Sequence, residues 1–321
     1  MDPLSHAVIG RSVTVAINDD RFTSPGVGVA AVFGALVPDV DAAFIGSGWD
    51  IYLRAHEIGT HSIVGGVAIA CLAAAVVRGF ARRTRYLPLA IAAVLGAMSH
   101  IALDVVSGAR VRIGWPLVDA RVSVPLVAMG DPWIVLICAV GVIAMWLGRR
   151  KRRVARWVLT ATVALLSVKA VLLAQAARSA PVARVSISAF DARWGSFTEW
   201  SVFERTASAI RAWQIHSGGG KASMWLSRPI EPRSSAAAAS HALDTVRNFE
   251  RTHDFGFAVE ESNATDVAVL WSDPRYCWPD PSATNGIACA LWFGGEFDAN
   301  GRAIMQEVKI GWWTQTRPAP R

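Results

Sequence analysis

Residues 86–104 read YLPLAIAAVLGAMSHIALD. From Tyr86 to Leu103 there is no Asp, Glu, Lys or Arg, and a helix rising about 1.5 Å per residue crosses the ~30 Å hydrocarbon core of a bilayer in about this length. A helix on the surface of a soluble protein would carry a polar face. This run has none, so it predicts a membrane span. Its last turn brings His100 and Asp104 onto one face, because residues four apart project together from a helix.

Working outward, similar charge-free stretches run over Phe22–Pro38, Ile58–Val77 and Pro132–Gly148, and a fifth over Trp157–Ala177 is interrupted only by Lys169. Pro3–Ile17 is amphipathic and short, which suits either an interfacial helix or a sixth span. It does not resemble a cleavable signal, since Asp2 stands where a basic segment belongs and His6 and Arg11 break the apolar run. The expected fold class is therefore a mainly α polytopic membrane domain of five or six spans over 1–177. A smaller α+β domain follows over 178–321.

Charge distribution orients these spans. The chain carries a net charge of +7, with 17 basic and 10 acidic residues in 1–177 and 15 of each in 178–321. Ten of the 17 cations fall in two clusters, Arg78–Arg85 and Arg149–Arg156, each between apolar runs. This is the distribution of cytoplasmic loops under the positive-inside rule. Nucleic acid is not expected as a partner, because no stretch interleaves cations with exposed aromatics and polar residues. Chain order then puts Asp39–His61, Asp104–Asp131 and everything after Ala177 on the extracytoplasmic side, with membrane lipid as the surrounding partner.

The C-terminal segment holds nine of the 14 tryptophans. Val182–Phe190, Trp200–Phe203, Val267–Trp271, Ala290–Phe297 and Ile304–Ile310 have strand character, the last two joined by the hairpin signal Asp298-Ala-Asn-Gly301. Arg233–His253 has helical spacing. Cys71 and Cys138 lie within spans as packing residues. Cys277 and Cys289 flank a Pro/Ser/Asn-rich loop, and an outside location permits a disulfide without deciding it. His216, His241 and His253 show no ligand spacing and read as surface residues. Ser217-Gly-Gly-Gly-Lys221 lacks the spacing of a phosphate loop and reads as a turn. No G-x-S-x-G elbow and no HExxH motif is present.

Ionisable groups are costly in and beside a membrane and gather where there is function. Asp2/His6 and His100/Asp104 are i,i+4 pairs. Asp39 and Asp41 close one span, and His56 and His61 precede the next. All of these fall on one membrane face, with Asp2 and His6 joining them if the N-terminal segment spans or folds back. Mixed His/Asp sets suit Zn²⁺, with Mn²⁺ or Fe as alternatives, rather than Ca²⁺ or Mg²⁺. His6, Asp39, His61, His100 and Asp104 are the expected ligands. Asp2, Asp41 and His56 are further candidates, Asp41 and His56 as orienting groups or general base. Simpler roles exist for some of them: Asp2 as an N-cap before Pro3, Thr60 and Ser62 as caps of the following helix.

The motifs Met1-Asp-Pro-Leu-Ser-His6, Leu36-Val-Pro-Asp-Val-Asp41, His56-Glu-Ile-Gly-Thr-His-Ser62 and Ser99-His-Ile-Ala-Leu-Asp104, followed by Trp115-Pro116 and Asp131-Pro132, resemble the YdjM-like family, the 457 group of domains of unknown function. The resemblance covers roughly 1–150. Trp200 and Trp271-Ser-Asp-Pro-Arg-Tyr276 are similar to the C-terminal extension of longer members. It implies a LexA-regulated, multi-pass inner-membrane protein that hydrolyses its substrate with a bound metal, through a looser likeness to zinc-dependent phospholipases C. The family's usual His-Arg-Gly-x-Thr-His here has Glu57 for the Arg and the Gly at 59. Val105-Val-Ser-Gly-Ala109 departs from the usual Thr-Ser-Tyr-Gly.

The leading expectation is a membrane-embedded metal-dependent hydrolase of an ester or phosphoester, possibly lipid-linked, with the C-terminal domain capping the site or binding a protein partner. The alternative is a non-catalytic membrane protein, either a metal or proton carrier or a stress-response scaffold. A carrier would place ionisable groups at mid-bilayer, where only Lys169 is expected.

Overall fold

A computed structural model describes residues 1–17, 19–22, 24–56, 59–148, 150–182, 187–262, 266–283, 286–298 and 300–319. The helical N-terminal region comprises α1 (Pro3–Ala16), α2 (Pro25–Leu36) running into a 3₁₀ segment (Val37–Gly46), α4 (Ile63–Phe80), α5 (Tyr86–Val106), α6 (Pro132–Trp146) and α7 (Lys151–Ala177), with the short α3 (Trp49–His56) between the 3₁₀ segment and α4. A β-sheet C-terminal domain follows. The chain divides into two compact units. One is Met1–Ala42, His56–Ala176 and Asp191–Glu199; the other is Ala43–Ala55, Ala177–Phe190 and Trp200–Arg321.

Local sequence sets the helix ends in the first unit. Asp2, Ser24, Ser62 and Asp131 each accept a backbone N–H as N-caps, with proline following at once in three of the four cases. That pairing satisfies one orphan donor and pre-sets the first helical φ. Four helices are long and apolar enough to cross a membrane: Pro25–Gly46, Ile63–Phe80, Tyr86–Val106 and Lys151–Ala177. α6, expected over Pro132–Gly148, has 15 residues; α1 has 14 and packs on α2, α5 and α6. The first span begins at Pro25 rather than Phe22 and includes Asp39 and Asp41 in its 3₁₀ end. The last begins at Lys151, so Lys151, Arg152, Arg153 and Arg156 of the second basic cluster lie in its first two turns. Glu57, Ile58 and Arg149 lie outside the described residues.

Side-chain sizes in this unit are inverted relative to a soluble protein. The buried set between α2, α4 and α5 is mostly alanine: Ala30, Ala31, Ala70, Ala74, Ala92, Ala93 and Ala97. Large apolar groups such as Phe33, Leu72, Val76, Leu87, Leu136, Ile143 and Val171 are exposed. Small residues inside and bulky ones outside is how helices pack in lipid, where burial of Leu gains nothing over contact with acyl chains. Glycine makes the closest approaches: a Cβ on Gly34 would lie 2.0 Å from the Ala93 carbonyl oxygen, and one on Gly96 would lie 2.3 Å from that of Ala31. Lys169 is buried on α7, its ammonium 3.8 Å from Asp131 and donating to the Ser196 carbonyl at 2.7 Å.

The second unit is built on a five-stranded antiparallel sheet in the order β11-β10-β9-β6-β5 and a four-stranded sheet β1-β2-β3-β4. These are β1 (Ile187–Ala192), β2 (Glu199–Arg205), β3 (Ala209–His216), β4 (Ser223–Pro229), β5 (Phe257–Ser262), β6 (Val267–Ser272), β9 (Leu291–Phe297), β10 (Ala303–Ile310) and β11 (Trp313–Pro318), with a hairpin of β7 (Cys277–Pro279) and β8 (Ile287–Cys289). Alternation along the strands divides two cores. Val269, Trp271 and Phe293 face Leu243, Val246 and Phe249, while Leu270, Phe257 and Val259 face Phe203, Ile210 and Leu226 of the smaller sheet. β6, covered on both faces, accordingly reads as a continuous apolar run.

Two expectations for this unit, one helix over Arg233–His253 and a surface position for His253, are corrected. Arg233–His253 forms two helices, α8 (Ser235–Ser240) and α9 (Asp244–Thr252). The Ser240 hydroxyl donates back to the Ala237 carbonyl at 2.7 Å and Leu243 turns into the core, which stops the first helix. The strand expected from Val182 is seen from Ile187; residues 183–186 lie outside the described set. His253 is buried rather than a surface residue, its Nε2 3.0 Å from the Tyr276 hydroxyl. Cys277 and Cys289 face each other across the β7–β8 hairpin and form a disulfide.

Candidate metal centre

The close α2–α5 approach delivers the polar cluster. Ala92, Gly96, His100 and Asp104 follow at four-residue intervals on α5, and Ala31, Ala35 and Asp39 do so on α2 and its 3₁₀ extension. Helices held together by Ala and Gly let a backbone carbonyl meet a side chain across the interface. The His100 Nδ1–H donates to the Ala35 carbonyl at 2.7 Å. A carbonyl can only accept, so the proton belongs on Nδ1, and Nε2 of the neutral ring keeps its lone pair.

That lone pair meets three other donor atoms. His100 Nε2 lies 3.3 Å from His61 Nε2, 3.0 Å from Asp104 Oδ2 and 3.5 Å from Asp39 Oδ1. His61 Nε2 lies 3.3 Å from Asp39 Oδ1 and 3.5 Å from Asp104 Oδ2. A tetrahedral ion with bonds of about 2.0–2.1 Å to nitrogen and oxygen has ligand–ligand edges of about 3.3 Å. Every separation here that involves a histidine falls around that length. The donor chemistry and spacing therefore fit a divalent cation, with His61 and His100 each within reach of both Asp39 and Asp104.

His61 reaches this place through glycine. Gly59 adopts φ +72°, and its carbonyl sits where a Cβ on Gly65 would be, 2.0 Å away. The turn carrying His61 is thereby seated on the first turn of α4, which Ser62 caps at Gly65. Burial holds the His61 imidazole below its ordinary pKa against the pull of Asp39, and this favours the neutral form that binds metals.

The other predicted residues surround the four. His6 stacks on His100 with ring centroids 3.7 Å apart, and its Nε2 is 3.3 Å from Asp104 Oδ1 without the alignment of a hydrogen bond. Both of its ring nitrogens are buried without hydrogen-bond partners. The Met1 amino group also donates to Asp104 Oδ1 at 2.6 Å. On the far side of His61, Asp41 Oδ2 is 3.6 Å from Nδ1 and 3.1 Å from His56 Nδ1. Three donor groupings within binding reach emerge: His6, Asp39, His100; Asp39, His56, His61; and His61, His100, Asp104. Asp2 belongs to none of these among the described residues and caps α1 by accepting the Ser5 N–H at 2.9 Å.

Two participants had no distinct sequence signal. The Ala35 carbonyl is backbone and carries no motif. Thr60, read only as a helix cap, places its hydroxyl 3.4 Å from Asp41 Oδ2 and 3.2 Å from His61 Nδ1. Its position directly before a candidate ligand was the one available hint. The cluster meets solvent through Asp39 and His56, whose side chains are 33% and 29% exposed, while His61, His100 and Asp104 are at most 4% exposed.

No curated protein and no solved structure matches the chain. A family model described as YdjM inner membrane protein matches residues 1–176, more than half of the chain and all of the polar cluster. The chain belongs to the YdjM inner membrane protein family.

Proposed function

We propose that this protein is a membrane-embedded, metal-dependent hydrolase of an ester or phosphoester, its site open to the extracytoplasmic face. The convergence of His61 Nε2, His100 Nε2, Asp39 Oδ1 and Asp104 Oδ2 carries this reading. A bound Zn²⁺, or Mn²⁺ or Fe, would supply Lewis acidity there, lowering the pKa of water and polarising the scissile bond. His61, His100, Asp39 and Asp104 would hold the ion, and the Ala35 carbonyl fixes the His100 tautomer. Asp41 orients His56, and the partly exposed His56 is placed to accept a proton from the attacking water and return it to the leaving oxygen. His6 and Asp2 complete the polar wall at the start of α1.

The substrate class this reading favours is an ester or phosphoester, and a lipid-linked one suits a polar cluster at the ends of apolar helices. α6 joins the four long spans to give five, with α1 a short sixth. The Arg clusters then face the cytoplasm. The disulfide in the C-terminal domain supports an oxidising, extracytoplasmic compartment for that domain.

The test is purified full-length protein assayed for metal by mass spectrometry and for release of headgroup from labelled lipids. Stoichiometric metal and hydrolysis, both lost in His100→Ala and Asp104→Asn, are expected. Wild type without bound metal would end this reading; metal with no hydrolysis of any ester would favour the carrier or scaffold.

A further inference from the structure

The loop between β1 and β2, Arg193–Thr198, groups with the helices of the first unit and not with the sheet it leaves. Its conformation is built. Gly195 turns it at φ +76°, and the Ser196 amide donates to the Arg193 carbonyl at 3.1 Å. The Ser196 hydroxyl accepts from the amides of Thr198 (3.3 Å) and Glu199 (3.1 Å). Contacts then seat the loop on α6 and α7. The buried Lys169 ammonium donates to the Ser196 carbonyl and lies 5.1 Å from the centroid of the Phe197 ring. Phe197 meets Trp133 edge to face, with centroids 5.8 Å apart. The Trp194 indole N–H donates to the Gly130 carbonyl at 3.2 Å. Lys169 stands eight residues before the end of α7, about 12 Å along the axis and further than a lysine side chain reaches. The loop therefore lies beside the body of α7, level with the start of α6.

Although its N–H is satisfied, Trp194 leaves its ring 69% exposed. The apolar surface continues along α6 from Trp133, which Phe197 touches. Trp133, Leu136, Val140 and Ile143, three or four residues apart, share one face of that helix, and all are at least 40% exposed. α6 has 15 residues, about 22 Å of helix against a hydrocarbon core of about 30 Å. A span that short relies on interfacial groups at its ends. Tryptophan concentrates at that depth, because its ring is apolar and its N–H polar. We propose that the β1–β2 loop is a membrane anchor, with the Trp194 ring resting in the headgroup region beside the first turn of α6. Continuity with the exposed face of α6 selects a lipid surface as the partner. The inference rests on the reading of α6 as a span, and not on the metal or the hydrolysis.

Full-length protein labelled with fluorotryptophan is reconstituted into vesicles of phosphatidylcholine and phosphatidylglycerol. The Trp194 fluorine resonance is assigned by its loss in Trp194→Phe, or in Trp194→Tyr should the first variant not fold. Trp133 and Trp146, at the two ends of α6, are assigned in the same way. Line broadening is compared between a phosphatidylcholine carrying a nitroxide near the headgroup end of its acyl chain and a water-soluble gadolinium chelate. Trp194 is expected to broaden at least threefold more with the lipid reagent. A smaller ratio overturns the anchor. Broadening of Trp194 by neither reagent marks a protein-covered surface, a second copy included, and also overturns it. When Trp133 and Trp146 respond to the lipid reagent, either failure at Trp194 leaves the span standing. Absence of lipid broadening at Trp133 and Trp146 overturns the span, and the anchor with it.

Discussion

His100 on α5 donates its Nδ1–H to the carbonyl oxygen of Ala35 on α2 across 2.7 Å. One backbone atom thereby decides which nitrogen of a buried histidine faces Asp39, His61 and Asp104. A carbonyl second partner orients a ligand ring much as a carboxylate does in metal sites.

With ¹⁵N-labelled histidine, His100 is expected as the Nδ1–H tautomer in chelator-treated protein. Zn²⁺ addition should shift its Nε2 resonance and leave the Nδ1 proton in place. A proton found on Nε2 in the metal-loaded protein would contradict this arrangement.

Helix spacing, not only ligand identity, sets the site. Gly34→Ala drives a Cβ into the Ala93 carbonyl and should lower stability by about 1–3 kcal/mol, as overpacking does. It should also weaken metal binding although no ligand changes. Gly79→Ala on α4, where a Cβ meets nothing, is expected to be neutral or to stabilise by up to about 1 kcal/mol. Thermal unfolding and a zinc titration of both variants measure this.

Asp131 and Lys169 are both buried in the helical unit. Asp131→Asn removes the carboxylate opposite a buried ammonium, and such changes cost about 3–5 kcal/mol. Lys169→Met in the same chain should recover part of the loss. Denaturation of the two single variants and the double variant gives the coupling; additive effects would deny it.

The Cys277–Cys289 bond closes a segment of sequence separation 12, for which loop-closure entropy suggests about 3 kcal/mol. Protein isolated with thiols blocked should yield a linked peptide pair by mass spectrometry. Cys277→Ser/Cys289→Ser should melt lower than wild type, and wild type treated with reductant should match it.

His241 sits between Glu231 (2.7 Å) and Glu250 (2.8 Å). Burial alone would lower its pKa, but the two carboxylates outweigh that and raise it. A raised folded-state pKa stabilises the fold fully below the unfolded value of about 6.5 and loses that contribution as pH rises through the folded value. NMR titration should place His241 above 6.5, and Glu231→Gln/Glu250→Gln should bring it down. A midpoint at or below 6.5 in wild type would contradict the ion-pair geometry.

Much of this molecule is local and was legible without coordinates. Charge-free runs mark the helices of the first unit, Asp-Pro and Ser-Pro pairs mark their starts, and period-two alternation with Asp298…Gly301 marks the β9–β10 hairpin. The i,i+4 spacing of His100 and Asp104 follows from helix geometry alone. Other features depend on what another segment supplies. The sequence did not decide whether Cys277 and Cys289 meet, that His253 is buried against Tyr276, or that Arg233–His253 breaks at Ser240, because each depends on packing against distant strands. Nor could it seat Trp194 against the Gly130 carbonyl beside the start of α6. Composition and spacing determined a membrane protein with a His/Asp set. Only the tertiary structure, through Gly and Ala contacts that bring α2 against α5, decided that His61 and His100 come together within reach of both Asp39 and Asp104 and that a backbone carbonyl holds the proton of His100.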